Sequence, residues 1–554
     1  MSDAAGADAL DRVCETILER ILAGEVGRED LEAAKLAACR EHDAPKVPKN
    51  SELLARAPDA HRDELEAILR RKLVRTASGV TPVAIMTSPA GCPHGKCLYC
   101  PGGPDSEFSS SQSYTGEEPA AARGVQNDYD PYGQVTLRLE QLRAIGHPVE
   151  KVELILMGGT MTARSHDYQE WFVKRALQAM NEYDLDGDPA PAEGESFAQD
   201  PAEVEWRYLE DVIAENETAD VRNVATTFET KPDWCGREQI DRMLRLGGTK
   251  VEVGVQTTYE AINREMHRGH GTRASIDANA RLRDAGFKVG FHMMPGQPGM
   301  SREMCLEDFR RLWDRETWRP DYLKIYPTLV VRDTAVYDWW YRDEYEPLGN
   351  DEAAELIAEI KAEIPRYVRL QRVQRDIPAD FIDAGVWKSN LRQLARERMD
   401  EHGTTCECIR GREVGHREES PGELVLDVTT YRACGGLEHF ISIEDPDRDL
   451  LVGFCRLRFP ADPHRPELAD AAIVRELHVY GSEVPLAAEG SGSTGEHAHQ
   501  HVGHGRRLMR RAEAIAADAG YGKLAVIAGI GARAYYREQL GYHRDGPYVS
   551  TSLE

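Results

Sequence analysis

Cys92, Cys97 and Cys100 lie close together with the spacing C-x4-C-x2-C, in the segment CPHGKCLYCPGG. They follow directly on the first predicted strand. Three thiolates on one tight loop can bind three irons of a 4Fe–4S cluster and leave the fourth iron open to a substrate or cofactor. We therefore predict the three cysteines as metal ligands and as catalytic residues. Two alternatives stay open: buried free cysteines, and a zinc site that His94 completes.

A second segment suited to ligand binding is QHVGHGRRLMRRAEAIA, which begins at Gln500 and opens a predicted helix. Gly503 and Gly505 let the backbone approach a ligand closely. The unpaired N–H groups and the positive dipole end at a helix N-terminus suit a diphosphate. Arg506 and Arg507 add positive charge. The pattern predicts a diphosphate-binding helix start.

Length and composition limit the class of protein. The 554 residues suffice for about three domains. A net charge of −27 normally argues against nucleic acid, whose phosphates need Lys and Arg. The excess acid is spread along the chain, so a local basic patch and a nucleic-acid partner stay open. We see no signal peptide and no apolar run of about 20 residues, and therefore expect a cytoplasmic protein with reduced cysteines and no membrane partner.

The order of the predicted elements divides the chain into four parts. Residues 1–79 place apolar residues at helical spacing and carry many cations. Residues 80–346 alternate six buried strands with helices, which predicts an α/β fold with a partial (β/α)6 barrel and its chemistry at the carboxyl ends of the strands. Residues 347–420 predict a helical linker. Residues 421–554 contain antiparallel strand candidates around one helix.

The cysteine segment and the MGGT segment, Met157–Thr160, resemble the radical S-adenosylmethionine (radical SAM) enzymes. The common signature of those enzymes has three residues between the first two cysteines, whereas this chain has four. The resemblance implies a 4Fe–4S cluster and S-adenosylmethionine as cofactors. It also implies that Gly158 and Gly159 contact the amino group of S-adenosylmethionine.

The C-terminal part resembles the GNAT-type acetyltransferases, on the Gln500 segment with VRELHVYG before it and ARAYYREQLGY after it. The resemblance implies an acetyl-CoA-binding α/β domain. The diphosphate loop it implies consists of Gly503, His504, Gly505 and Arg506. The splayed strand it implies along the pantetheine arm consists of Glu476, Leu477, His478 and Val479. Tyr535 or Tyr536 lies near the thioester, with Tyr536 as the catalytic candidate. An ordinary aromatic core pair is the alternative for these tyrosines.

The two parts together, with QSYTGEEPAAARGVQNDYDPYGQV, RVQRDIP and VRELHVYGS, closely resemble the catalytic subunits of Elongator. That resemblance implies transfer of the acetyl-CoA methyl carbon to carbon 5 of wobble uridine 34 in tRNA, giving 5-carboxymethyluridine. It further implies the tRNA anticodon loop and an electron donor as partners, and acetyl-CoA contact by Lys151, whose alternative is a solvated lysine at the start of a strand. Whether the chain forms a homodimer is left open.

Two other function classes are compatible with the sequence. One is a protein or histone lysine N-acetyltransferase in which the cluster domain is structural. The other is a tRNA-binding assembly subunit without chemistry, which the intact cysteines and diphosphate loop disfavour. The cations expected to meet tRNA phosphate lie between Lys46 and Arg75, with Arg70, Arg71 and Lys72 foremost, and between Gln371 and Pro378.

A further thiol pair, Cys406 and Cys408, lies in CECIRGREVG near the end of the predicted linker. A single residue separates the two, unlike the usual C-x-x-C zinc knuckle. Zinc would need a further ligand, for which Cys434, His402 and His416 are the candidates. A zinc ion here stays an open hypothesis.

Overall fold

The computed structural model describes residues 2–28, 30–44, 46–54, 56–69, 79–185, 187, 207–417, 419–480 and 503–553. At its N-terminal end, a small helical unit is held together by fully buried apolar side chains such as Val13, Ile17 and Leu65. Its helices are α1 (Ser2–Leu22), α2 (Leu31–Glu41), α3 (Asn50–Leu54) and α4 (Arg62–Leu69). The predicted phosphate contacts Arg70, Arg71 and Lys72, with Arg75, lie outside the described residues.

The central domain is a seven-stranded parallel sheet whose strands follow chain order from one edge to the other. The strands are β1 (Val80–Met86), β2 (Lys151–Met157), β3 (Arg222–Thr230), β4 (Lys250–Gln256), β5 (Lys288–Met293), β6 (Tyr322–Ile325) and β7 (Arg369–Arg372). The predicted partial barrel is confirmed, and its six strands are present. The structure adds β7, which lies where we expected only a helical linker. Its short, polar sequence RLQR gives no strand signal.

Helices connect these strands and cover one face of the sheet, as parallel pairing requires. Several have clear start signals. Asp130 caps α6 by accepting hydrogen bonds from the backbone N–H groups of Tyr132 and Gly133. The helices of this domain and the linker are α5 (Pro119–Gln126), α6 (Pro131–Arg143), α7 (His166–Asn181), α8 (Leu209–Asn216), α9 (Arg237–Arg245), α10 (Glu260–Glu265), α11 (Thr272–Asp284), α12 (Arg302–Asp314), α13 (Ala335–Tyr341), α14 (Asn350–Ala362), α15 (Leu391–His402) and α16 (Ile409–Arg412).

The C-terminal domain is a second seven-stranded sheet, in the order β13-β14-β12-β11-β10-β9-β8. Only β11 and β12 pair in parallel, and the other neighbours are antiparallel. The elements are β8 (Val425–Ala433), β9 (Gly436–Asp445), β10 (Leu450–Phe459), β11 (Ala471–Val479), α17 (His504–Asp518), β12 (Lys523–Val526), β13 (His543–Asp545) and β14 (Tyr548–Ser552). Helix α17 buries Leu508, Met509, Ala512 and Ala516 against this sheet.

A buried ionic network joins the barrel to the C-terminal domain. Asp321 accepts hydrogen bonds from Arg475 at 2.7 and 2.8 Å. Arg283 lies 2.8 Å from Glu438, and Arg458 lies 2.6 Å from Asp284. Such charges are stable in the interior only because each has a partner of opposite sign and good hydrogen-bond geometry. The network therefore fixes one domain against the other.

No helix in the described ranges is both long enough and apolar enough to cross a bilayer.

Candidate functional site

The three cysteines lie on one loop beyond the carboxyl end of β1, as predicted. Cys97 and Cys100 are buried and Cys92 is half-buried. A zinc ion about 2.3 Å from each sulfur would hold those sulfurs within about 4 Å of one another. Among the described residues, no three metal-binding atoms of this loop come within 4.8 Å of each other. The loop therefore does not bring three ligand atoms together as closely as a single zinc ion requires.

Polar groups from outside the cysteine loop contact two of the sulfurs. Cys100 Sγ lies 2.9 Å from Ser113 Oγ and accepts a hydrogen bond of 3.2 Å from Gln112 Nε2. Cys92 Sγ lies 3.4 Å from Thr160 Oγ1, immediately after the two glycines of the MGGT segment. Hydrogen-bond donors around the sulfurs stabilise negative charge on the ligands of an iron–sulfur cluster.

The third sulfur faces a buried cation. Arg268 Nη1 donates to Cys97 Sγ at 3.4 Å, and its Nη2 donates to Gly254 O at 2.6 Å. Burial alone would lower the pKa of Arg268, but Tyr99 and Cys97 raise it overall. Its Nε has no hydrogen-bond partner among the described residues. A permanently charged guanidinium with an unused donor suits a pocket that holds an anionic cluster.

His94 is engaged by protein groups on both ring nitrogens, which argues against its role as a zinc ligand. Its Nδ1 lies 2.9 Å from Lys231 Nζ, and its Nε2 lies 3.2 Å from Cys97 Sγ. Burial, followed by Lys231 and Arg268, lowers the pKa of His94 to about 4. The neutral ring accepts from Lys231 at Nδ1, so Nε2 carries the proton and donates to Cys97.

The two glycines of the MGGT segment lie against the cysteine loop. Gly158 and Gly159 have φ angles of +120° and +79°, which side-chain-bearing residues rarely adopt. A Cβ on Gly158 would collide with Thr87 Oγ1, which donates to the Gly158 carbonyl at 3.0 Å. A Cβ on Gly159 would lie 3.8 Å from Cys92 Sγ. The absence of side chains at Gly158 and Gly159 therefore lets the end of β2 pack closely against Thr87, Gln112 and the Cys92 sulfur.

Gly158→Ala is expected to lower the free energy of unfolding by about 1–3 kcal/mol, because it combines a disfavoured φ with a collision against Thr87. Urea unfolding of the full chain measures the loss. The matched control is Gly91→Ala, since Gly91 has an ordinary φ and no atom within 4 Å of an added Cβ. We expect the control to stay within about 0.5 kcal/mol of the parent. Equal losses in the two variants would contradict this account.

Sequence reasoning missed a cluster of charged side chains on the face of the barrel sheet that helices do not cover. Glu229, Glu252 and His292 bring three potential metal-binding atoms within 4.8 Å. Ammonium groups neutralise this cluster: Lys324 Nζ lies 3.0 Å from Glu229 and also pairs with Glu252, while Lys250 lies 2.9 Å from Glu252. Acidic and basic residues inside otherwise apolar strands were the available signal.

The C-terminal domain has a splayed strand at the residues that the resemblance to GNAT-type acetyltransferases implies. Strand β11 pairs with β12 only from Ala471 to Val474, whereas its pairing with β10 continues to Val479. Beyond Val474 the backbone of Glu476–Val479 therefore has no ladder partner on the β12 side among the described residues. Such a wedge offers free N–H and C=O groups to an extended ligand.

The predicted diphosphate loop and tyrosines meet beside this wedge. Gly503 begins α17 in the left-handed conformation, with φ +85°. A Cβ on Gly505 would lie 3.0 Å from the Tyr535 hydroxyl and 3.9 Å from Leu477 Cδ2. The rings of Tyr535 and the buried Tyr536 are 5.3 Å apart. His504 and Arg506 occupy the first turn of α17, where Arg506 donates to Gln539 at 2.6 Å.

Two of the predicted acetyl-CoA contacts, Glu476 and Lys151, lie where the barrel and the C-terminal domain meet. The Glu476 side chain accepts hydrogen bonds from Tyr322 of β6 and from Arg456, the latter at 2.8 Å. Lys151 begins β2 and pairs in register with Arg222. Arg222 in turn packs closely against Gly531 of the C-terminal domain. A Cβ added at Gly531 would lie 2.5 Å from the Arg222 Cβ. The amino ends of the barrel strands thus face the acetyltransferase-like domain.

A row of polar side chains connects the two predicted sites. Glu476 of the splayed strand contacts Tyr322, and Lys324 follows on the same side of β6 two residues later. Lys324 contacts Glu229, whose Oε2 accepts a hydrogen bond of 3.1 Å from the Tyr114 hydroxyl. Tyr114 directly follows Ser113, the neighbour of the Cys100 sulfur. The cysteine loop and the splayed strand therefore lie at opposite ends of one continuous polar face.

Comparison with known proteins places these features in a family. Three family models match: the ELP3 N-terminal domain over residues 10–77, the radical SAM superfamily over 86–312 and the radical SAM C-terminal domain over 320–401. A tRNA uridine(34) acetyltransferase of Methanocaldococcus jannaschii is 46% identical over 516 residues, 92% of this chain and 91% of the relative. Elongator complex protein 3 of Homo sapiens is 38% identical over 554 residues, 98% of this chain and 96% of the relative.

The chain belongs to the Elongator complex protein 3 family. A solved structure of Methanocaldococcus infernus Elp3 lacking residues 1–46 agrees, with a TM-score of 0.72 and 40% identity over 86% of this chain and all of that one. The radical SAM family implies a 4Fe–4S cluster and S-adenosylmethionine. Three thiols on one loop, with hydrogen-bond donors and the Arg268 guanidinium around them, fit that cluster.

In this member of the family, the described residues do not complete a zinc site at Cys406 and Cys408. Cys434 donates to Thr317 O at 3.4 Å, and His402 Nε2 lies 2.7 Å from Glu355 Oε1. No cluster of three metal-binding groups in the described ranges includes either thiol. The side chain of His416 lies outside the described residues.

The cations predicted to bind tRNA phosphate have internal partners where the structure describes them. Lys46 pairs with Glu52 at 2.8 Å. In the second cation segment, Arg372 pairs with Asp376 and Arg375 donates to the Ser113 carbonyl. Lys46 thus pairs within the N-terminal helical unit, and Arg372 and Arg375 pair near β7 and the cysteine loop. Any phosphate contact by these three cations would compete with those pairs.

Proposed function

We propose that this chain modifies uridine 34 of tRNA by joining the methyl carbon of the acetyl group of acetyl-CoA to carbon 5 of the base. Water then hydrolyses the thioester, which releases CoA and gives 5-carboxymethyluridine. The names of its relatives support the substrate and its position. The observation that carries the proposal is the polar row from Glu476 to Tyr114, because a reaction that uses both sites requires a route between them.

Each end of the route has a separate task. Cys92, Cys97 and Cys100 would hold the cluster, and Arg268 would balance its charge. The bound cluster and S-adenosylmethionine supply chemistry that removes a hydrogen atom from an unactivated methyl group. The backbone at Gly158–Gly159 would contact S-adenosylmethionine beside Cys92.

At the other end, acetyl-CoA would use the diphosphate loop Gly503–Arg506 and the open backbone of Glu476–Val479. Tyr535 and Tyr536 would lie at the thioester. The Tyr535 hydroxyl lies next to Gly505 of the diphosphate loop, and the Tyr535 ring packs against that of Tyr536. Lys151, at the amino end of β2, would contact the acyl donor from the barrel side. These ligand assignments belong to the proposal.

The side chains between the two sites carry positive and negative charges that pair with each other. Burial would lower the pKa of Lys324, but Glu229 and Glu252 raise it overall, so its ammonium persists. Burial would raise the pKa of Glu252, but Lys250 and Lys324 hold it well below its usual value. With every charge paired, the polar face can orient an acyl group without offering a free base or nucleophile to the thioester.

The same geometry disfavours a lysine N-acetyltransferase. That reaction needs a base to deprotonate the incoming amine, and Glu476 is the carboxylate on the splayed strand. Burial would raise the pKa of Glu476, but Arg456 and Lys288 lower it overall. Because Tyr322 and Arg456 also occupy its oxygens, Glu476 is a weak proton acceptor.

The proposal is tested by anaerobic reconstitution of the full chain with iron and sulfide, followed by incubation with a reductant, S-adenosylmethionine, acetyl-CoA and tRNA. Mass analysis of the nucleosides is expected to show 5-carboxymethyluridine at position 34, and none when S-adenosylmethionine is omitted. Acetylated lysine in a supplied protein, with unmodified tRNA, would overturn the proposal in favour of N-acetylation.

A further inference from the structure

His292 and Lys324 share one carboxylate oxygen in the middle of the polar row. His292 lies on β5, in register with Lys324 of β6. The His292 Nε2 lies 3.0 Å from Glu252 Oε2, and the Lys324 ammonium group pairs with the same oxygen. The ring and the ammonium group therefore lie side by side on the face of the sheet that helices do not cover. The proposed function gives neither group a contact with the substrate.

The shared carboxylate fixes which ring nitrogen of His292 carries hydrogen. Glu252 is 1% exposed and pairs with Lys250 at 2.9 Å as well as with Lys324, so it is ionised and can only accept hydrogen bonds. The His292 Nε2 must therefore donate, and Nδ1 of the neutral ring keeps its lone pair. Nδ1 has no hydrogen-bond partner among the described residues and is not sealed inside the protein. His292 thus offers an acceptor to a ligand.

Lys324 offers a donor beside that acceptor. An ammonium group has three N–H donors, and within the described chain Lys324 has two carboxylate partners, Glu229 at 3.0 Å and Glu252. One N–H is left for a ligand. Because two carboxylates hold the ammonium group in place, a ligand that accepts this hydrogen bond does not have to order the lysine first.

The neighbours of His292 orient its ring and leave it accessible. The Tyr326 ring packs edge to face against the His292 ring, with centroids 5.5 Å apart. Gly290 precedes His292 by two residues, and a Cβ added at Gly290 would lie 3.2 Å from Glu252 Cγ. Alternate residues of a strand share a face, so His292 is on the face that carries the polar row. Its side chain keeps 14% of its surface exposed.

We propose that His292 and Lys324 recognise the uracil base of nucleotide 34: Nδ1 of His292 accepts a hydrogen bond from N3–H, and the Lys324 ammonium group donates to O4. The assignment rests on the proposed function and names the groups that select the base. Uracil has a donor at N3 and an acceptor at O4, which match this pair. Cytosine has an acceptor at N3 and an amino donor at N4, so both contacts would be lost.

The position of the pair suits a base that reacts at carbon 5. His292 and Lys324 lie between the cysteine loop and the splayed strand, where carbon 5 has to meet the acyl methyl group. Enzymes that modify a base take it out of the stack and bind its Watson–Crick edge in a pocket. The two ammonium groups and two carboxylates of this cluster balance one another, so a neutral base enters without leaving a charge unpaired.

The first test uses the unaltered full chain, anaerobically reconstituted, with three tRNAs that differ only in nucleotide 34: uridine, N3-methyluridine and cytidine. We expect kcat/KM for modification at carbon 5 to be at least about 100-fold lower with N3-methyluridine and with cytidine, because both leave the His292 acceptor unpaired. The Kd values of the three tRNAs should agree within about twofold, since phosphate contacts dominate the affinity for nucleic acid.

The outcomes of this test separate the assignment from the proposed function. No product from the tRNA with uridine at position 34 would overturn the proposed function, and the assignment with it. Product from that tRNA, with an equal kcat/KM for N3-methyluridine, would overturn the assignment alone.

The second test removes the acceptor. His292→Ala is expected to lower kcat/KM with uridine by about 10–100-fold. It should also reduce the ratio of kcat/KM for uridine over N3-methyluridine to less than about threefold, because neither base then has an acceptor to lose. A ratio that stays near 100 in His292→Ala would overturn the assignment, as would one zinc ion per chain that the parent binds and this variant loses.

His439→Ala is the matched control for His292→Ala. His439 is a buried histidine of β9, with Nδ1 3.0 Å from Thr430 Oγ1 and with no partner for Nε2 in the described ranges. We expect His439→Ala to keep both the parental kcat/KM with uridine and the parental ratio. The same change of ratio in both variants would overturn the assignment, because it would show that loss of a buried histidine is enough.

Discussion

Replacing Cys97 with alanine is expected to abolish 5-carboxymethyluridine formation while acetyl-CoA binding stays unchanged. Cys97 is the sulfur that both Arg268 and His94 contact, so its removal deletes one of three ligands and leaves both donors without their acceptor. Radical chemistry should fall to the level of the uncatalysed reaction. The residues proposed to bind acetyl-CoA lie on β11 and α17, away from the cysteine loop, so binding of acetyl-CoA should persist.

The measurements are the charge-transfer absorbance and iron content after anoxic reconstitution, nucleoside analysis of tRNA, and calorimetric titration with acetyl-CoA. Cys39→Ala is the matched control, because Cys39 is a buried free cysteine on α2 whose thiol donates to the Lys46 carbonyl at 3.5 Å. It should keep the absorbance and the iron. Normal tRNA modification by Cys97→Ala would exclude the assigned cluster site.

Much of the site could be predicted from local sequence. The spacing of Cys92, Cys97 and Cys100 and their position after a β-branched run predict a loop at the carboxyl end of a strand, which the structure confirms. The helix start at Gly503 follows from a short motif in the same way. The wedge after Val474 was expected only from the resemblance to the GNAT-type acetyltransferases. Such features depend on neighbouring residues, so a local pattern is enough to find them.

The connection between the two sites could not be predicted in that way. Tyr322 and Glu476 are separated by 154 positions, and Lys324 and Glu229 by 95. Pairing over such distances is decided by how the two domains dock, and a single sequence carries no record of that. Glu476 is an example. It lies on a strand, as predicted, but its side chain contacts Tyr322 of the barrel, which the sequence did not predict. The polar strand β7 was missed for the related reason that tertiary packing, not propensity, makes it a strand.

Asp321→Asn is expected to destabilise the contact between the barrel and the C-terminal domain by about 3–5 kcal/mol. Asp321 is fully buried and lies within 2.8 Å of Arg475 and 3.3 Å of Arg283. The asparagine would leave the buried guanidinium groups of Arg475 and Arg283 without the negative charge of the Asp321 carboxylate, and water cannot reach them to replace it. Because the network supports β11 through Arg456 and Glu476, acetyl-CoA affinity should fall as well.

Urea unfolding of the full chain measures the loss, and its pH dependence gives an independent check. Burial would raise the pKa of Asp321, but Arg283 and Arg475 hold it well below its usual value of about 3.9. A carboxylate with a depressed pKa in the folded state contributes stability above the unfolded pKa and loses it as the pH falls further. The parent chain should therefore lose stability below about pH 4, and Asp321→Asn should lack this part of the loss.

Glu363→Gln is the matched control for Asp321→Asn, since it also neutralises one carboxylate of an arginine pair. Glu363 lies 2.7 Å from Arg310 with both side chains exposed to solvent. An exposed pair typically contributes less than about 1 kcal/mol, because water solvates the arginine that remains. Similar losses in the two variants would mean that water reaches the interdomain network. The buried charges could not then be what fixes β11 against the barrel.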